Sequence, residues 1–157
     1  VPEILTPEHY TGMVLCTVIG VQMGEKAFGA AAADAEVWLT LRAEHEKDLE
    51  LLREMVLKAA KELAEADGLG FGIEEQDIFP ATENDPVCAQ KVMERCNGKP
   101  LEVPMRWSED FGHYLKKCKG AFFGIGAGKD HPALHTITYE YPDDLLEKTA
   151  EAFWNLI

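Results

Sequence analysis

The sequence predicts an α/β chain in two parts: an α+β sandwich with one helix on an antiparallel sheet, then the end of a doubly wound α/β layer. Three observations carry this expectation. Apolar stretches with strand character and one long amphipathic stretch fill the first half, helix-start and helix-stop residues recur in the second, and the pattern changes near Pro80.

Val1 to Thr11 contains two prolines and no periodic pattern, so it reads as a lead-in, expected to continue from an upstream segment. Met13 to Val21 is apolar or β-branched on both faces, as in a strand covered on both sides. Gly24 to Asp34, with Ala30 to Ala33 inside it, fits either a flexible loop or a short helical turn. Ala35, Val37, Leu39 and Leu41 then alternate with Glu36, Trp38, Thr40 and Arg42, which marks a second strand able to pair antiparallel with the first. From Glu44 to Ala66, the spacing of Leu49, Leu52, Val56, Ala59 and Leu63 predicts an amphipathic helix, with Gly68 as its left-handed cap. A third strand is expected over Phe71 to Phe79.

After Pro80 the punctuation changes. Asp85 and Pro86 suit an N-cap and first helical position, and that helix should run to Cys96 and stop at Gly98 and Pro100. Ser108 is placed to cap a short helix through Cys118 that ends at Gly120. Ala121 to Gly126 is expected as a short apolar strand. Asp144 to Ile157 is expected as a helix with Leu146, Thr149, Ala150, Phe153 and Ile157 on one face.

Composition narrows the possible functions. Fifteen Lys and Arg against 28 Asp and Glu leave a net charge of −13, which repels phosphate backbones and anionic headgroups, so neither nucleic acid nor a membrane surface is expected as a partner. The apolar runs are too short to span a bilayer and the start has no signal-peptide pattern, which points to a cytoplasmic protein. Cys16, Cys88, Cys96 and Cys118 lack zinc-ribbon or redox spacing and are expected as free, buried thiols; Cys88, Val92 and Cys96 share one helical face. Gly68 to Gly72 precedes a strand instead of opening a helix after one, the wrong setting for a dinucleotide loop, and Ser108 lacks nucleophile-elbow glycines.

The loop from Ala127 to Pro142 is the leading place for chemistry, because ligands of open α/β sheets bind beyond the carboxyl ends of strands. His131, His135, Glu140, Asp143 and Asp144 lie in it or at its edge. Pro132 and the β-branched run Thr136 to Thr138 oppose a helix, so a zincin-type pair of histidines on one helical face is not expected. On the residues alone, each histidine reads either as one zinc ligand among several gathered from distant segments or as a solvated, hydrogen-bonded side chain. His9, His45 and His113 form no cluster. Ser108, Glu109 and Asp110 read either as a helix-start sequence or as carboxylates beside a metal cleft.

Three motifs then occur in order: Ser108-Glu109-Asp110-Phe111, Lys119-Gly120-Ala121-Phe122-Phe123-Gly124-Ile125-Gly126, and His131-Pro132-Ala133-Leu134-His135-Thr136-Ile137-Thr138-Tyr139-Glu140-Tyr141-Pro142-Asp143-Asp144. Together they resemble the C-terminal signature of the aminoacylase, hippurate hydrolase and carboxypeptidase G type metallopeptidases. Gly20, Gly24, Ala27, Leu39 to Arg42 and Pro80 to Pro86 extend the likeness over most of the chain. The resemblance implies that residues 1–83 are part of a lid and dimerisation domain and residues 84–157 the C-terminal part of a metal-dependent catalytic domain. It implies an amidohydrolase acting on an N-acyl amino acid or small peptide, with one or two zinc or manganese ions in the complete enzyme and His135 as the last metal ligand.

The same resemblance assigns no catalytic residue to this chain. The family's other ligands and its general-base glutamate would lie before Val1, so the chain by itself is expected to be inactive. Where the family commonly has Asn-Val-Ile-Pro in its lid, this sequence has Gly29-Ala30-Ala31-Ala32. An unpaired Met13 to Val21 strand, and the family's lid pairing, both lead to an expected homodimer. The competing reading is a non-catalytic α+β dimerisation or ligand-binding module.

Overall fold

The computed structural model describes residues 3–157. The chain is a mixed α+β protein that divides into two units, one running to Ala81 and adding Met105–Ser108, the other comprising Thr82–Pro104 and Glu109–Ile157.

The first unit is a β-hairpin with a helix on it. Strand β1, Val14–Met23, pairs antiparallel with β2, Ala35–Ala43, and the intervening segment closes with the Gly24 amide donating to the Asp34 carbonyl at 3.1 Å. That intervening segment is a loop, not a helical turn. The register slips between Val18 and Gly20, which leaves Ile19 as a bulge without a partner. Gly20 sits opposite Trp38, and the indole lies where a Cβ on residue 20 would be, 2.4 Å from Cε3.

Helix α1, Glu46–Ala66, lies across β2 and touches β1. Leu52 is its one fully buried large side chain. The helix ends in a Schellman motif: Gly68 has φ +68, its amide donates to the Glu65 carbonyl at 3.1 Å, and the Leu69 amide donates to the Ala64 carbonyl at 2.8 Å. At the other end, the buried Asp48 carboxylate accepts from the Thr11 amide and hydroxyl and from the Gly12 amide, at 2.8 to 3.1 Å. Glu44 continues the clasp, its carboxylate accepting from the Met13 amide at 3.2 Å.

Coverage of the hairpin departs from the expectation. Helix α1 covers the half formed by Val14 to Cys16 and Leu39 to Ala43, whereas Val18, Ile19, Val21, Met23 and Val37 are all more than half exposed. An apolar strand sequence states a need for cover; the single helix present meets it on one half. Leu63, placed on the inward face by periodicity, is exposed for the same reason. Phe71 to Phe79 is not a strand: among the described residues no segment pairs with it, and its Glu75 carboxylate instead bridges to Arg53 on α1. The expected sandwich is therefore a two-stranded sheet with one helix.

The second unit holds three helices. In α2, Pro86–Arg95, the Asp85 carboxylate caps the Val87 and Cys88 amides at 3.1 and 3.0 Å, as the Asp-Pro pair predicted. The helix terminates through Asn97, at φ 51, with the Gly98 amide donating to the Met93 carbonyl at 3.0 Å; asparagine, not glycine, takes the left-handed position. Helix α3 is a single turn, Gly112–Leu115, whose N-cap position falls on Phe111 and so has no side-chain cap; Ser108, the expected cap, instead accepts from the Arg42 guanidinium at 2.6 Å within the first unit. Gly120 does not end it in a left-handed turn; its carbonyl accepts from the Asp85 amide at 2.9 Å.

Helix α4, Asp144–Leu156, packs on α2. The α2 stripe of Cys88, Val92 and Cys96 is half-buried, and Cys96 Sγ lies 3.4 Å from the Ala152 carbonyl. The inward face of α4 is Leu145, Thr149, Ala152 and Leu156, one position off the expected stripe, while Leu146, Phe153 and Ile157 are exposed. Both stripes are apolar, and a 3.6-residue period alone does not choose between neighbouring faces. The four thiols are free as expected, but none is fully buried: Cys16, Cys88 and Cys96 are half-buried and Cys118 is exposed.

Ala121 to Gly126 is extended without being a strand. Ala121, Phe123 and Ile125 are half-buried and alternate with exposed Phe122, Gly124 and Gly126. In place of a neighbouring strand, the Asn84 side chain accepts from the Phe122 amide at 2.7 Å and donates to its carbonyl at 2.9 Å. Phe111 stacks on Phe122 and Phe123 on Phe153, with ring centroids 5.3 and 5.8 Å apart. Ladder strands need non-local partners, and none of the described residues supplies one here.

Candidate functional site

The loop beyond that extended segment separates its two histidines by environment. Gly128, at φ 102, turns the chain, and the Thr136 hydroxyl donates to the Ala133 carbonyl at 2.7 Å while the Tyr139 amide donates to the Thr136 carbonyl at 3.0 Å. These are turn bonds, not a helical ladder, as Pro132 and the β-branched run require.

His131 is half-buried and occupied. Its Nε2 lies 2.8 Å from the Glu140 carbonyl, and its ring meets Tyr139 edge to face at 5.2 Å. It ties the two ends of the loop together. His135 is exposed, has φ 65, and makes no hydrogen bond, ion pair or ring contact with any described residue. Of the two imidazoles, His135 is the one free to bind.

The remaining candidates do not converge. No group of three or more His, Cys, Asp or Glu side chains forms a ligand set among the described residues, so Glu140, Asp143 and Asp144 do not complete a centre around His135. The donor chemistry of His135 fits a zinc or manganese ion as one ligand. Ser108 is engaged by Arg42, His9 stacks on Tyr10 at 6.2 Å, and His45 is the N-cap residue of α1. No described helix is long and apolar enough to cross a membrane.

Electrostatics point to structure more than chemistry. Burial by itself pushes the Asp48 carboxyl up, and this is outweighed by the hydrogen bonds from Thr11 and Gly12 and by nearby His45, so its pKa falls below the usual carboxylate value. The Asp85 carboxyl is lowered chiefly by the Cys88 amide. Burial raises the thiol pKa of Cys16, and burial with the Asp85 contact raises that of Cys88, which keeps both thiols protonated and unreactive. The Asp48 clasp is a feature sequence reasoning missed: an acidic residue in a first helical turn reads as a dipole effect, and only the position of Thr11 and Gly12 reveals its second role.

A mixed α+β chain that presents one free histidine in a turn-rich loop is the setting in which two curated relatives can be placed. The chain is 26% identical over 147 residues to hippurate hydrolase of Campylobacter jejuni, a match covering 88% of this chain and 38% of that protein. It is 31% identical over 117 residues to N-acetyldiaminopimelate deacetylase of Streptococcus thermophilus, covering 66% of this chain and 29% of that protein. These matches support a relationship to the amidohydrolases and, at that coarse level, a hydrolase. The chain thus spans well under half the length of either relative. No family model matches it. No solved structure matches it either.

Proposed function

We propose that this chain is part of a metal-dependent amidohydrolase that cleaves the amide bond of an N-acyl amino acid or small peptide, with His135 as one metal ligand. Hippurate is an N-acylated glycine and N-acetyldiaminopimelate an N-acetylated amino acid, so both relatives' names describe opening of an N-acyl bond. The observation that carries the ligand assignment is the contrast in the loop: His131 is spent on Glu140 and Tyr139, while the His135 imidazole is exposed and unengaged. One or two zinc or manganese ions, when bound, would polarise the scissile carbonyl and activate water. In this reading the first unit is the lid part and the second the catalytic part.

A catalytic zinc normally takes three protein ligands, and His135 alone is offered here, so the 157-residue chain is read as inactive by itself. The test is turnover of an N-acyl amino acid by a polypeptide extended to the length of the relatives. His135→Ala should lower it by orders of magnitude and His131→Ala much less. Equal, small effects would remove the ligand assignment.

The reading includes a homodimer. Strand β1 has a free edge, and its outer half exposes Val18, Ile19, Val21 and Met23. A second copy pairing on that edge would satisfy its free backbone donors and acceptors, and the same edge serves the alternative of a non-catalytic association module. Light scattering at micromolar concentration should give a dimer mass; a clean monomer would remove the dimer from both readings.

A further inference from the structure

We draw no further inference here: the strongest candidate, the outer face of α4 bearing Leu146, Trp154 and Ile157, carries nothing because no observation in the structure shows what covers it.

Discussion

Substituting Gly20 by alanine should destabilise the hairpin, against the usual direction for a strand. Glycine inside a strand ordinarily costs about 0.5–1 kcal/mol relative to alanine, so the default outcome is a gain. Here the new Cβ would stand 2.4 Å from Cε3 and 2.9 Å from Cζ3 of Trp38. Ordinary carbon–carbon contact is about 3.5–4.0 Å, so the indole must withdraw by roughly 1.2 Å. Trp38 is 46% exposed, which leaves the ring somewhere to go. Withdrawal, however, breaks the 3.0 Å bond from its Nε1 to the Glu36 carboxylate and lifts the ring off the glycine. Overpacking of this kind costs about 1–3 kcal/mol, which outweighs the backbone gain and leaves a net loss of about 1 kcal/mol. In a Trp38→Ala background the clash is gone and Gly20→Ala should stabilise by about 0.5 kcal/mol. The assay is a double-mutant cycle by urea unfolding, followed by circular dichroism, with an expected coupling of about 1.5 kcal/mol. Gly20→Ala stabilising equally in both backgrounds would refute the register and the ring position.

Two further outcomes follow from the first unit. Leu52→Ala removes a fully buried side chain that the rest of a thin core cannot replace; the loss should be about 3 kcal/mol, read as a lower urea midpoint, and a change within error would mean that α1 does not seat on the hairpin as described. The folded Asp48 pKa is depressed, so its contribution is present above the unfolded carboxylate value and disappears as pH falls through the lower folded one. Acid titration of unfolding should therefore show stability falling below about pH 4, with a shallower slope in Asp48→Asn; identical slopes would show that the clasp is not ionised.

What the sequence disclosed depended on how local the determinant was. The Asp85-Pro86 start and the Gly68 stop act within one helical turn, and both were legible. The antiparallel pairing of β1 and β2 was legible because the strands are neighbours in the chain with matching apolar patterns. Phe71 to Phe79 and Ala121 to Gly126 have strand composition, but a strand exists only through a partner, and partnership is not written in the segment itself. The face of α4 that meets α2 was set by packing between the two helices, and the bulge at Ile19 and the left-handed turn at Asn97 rather than Gly98 are not marked by periodicity. At the site, the motif order drew attention to His135, while spacing alone left His131 and His135 equivalent. Their difference comes from Glu140 and Tyr139, which fold back onto one ring only.

The most direct test of the amidohydrolase reading is the metal content of the polypeptide extended to the relatives' length, compared for the parent, His131→Ala and His135→Ala after the same zinc loading and dialysis. The account predicts zinc retained by the parent and by His131→Ala, and lost with hydrolysis of the N-acyl substrate in His135→Ala. Zinc and hydrolysis undiminished in His135→Ala would contradict it.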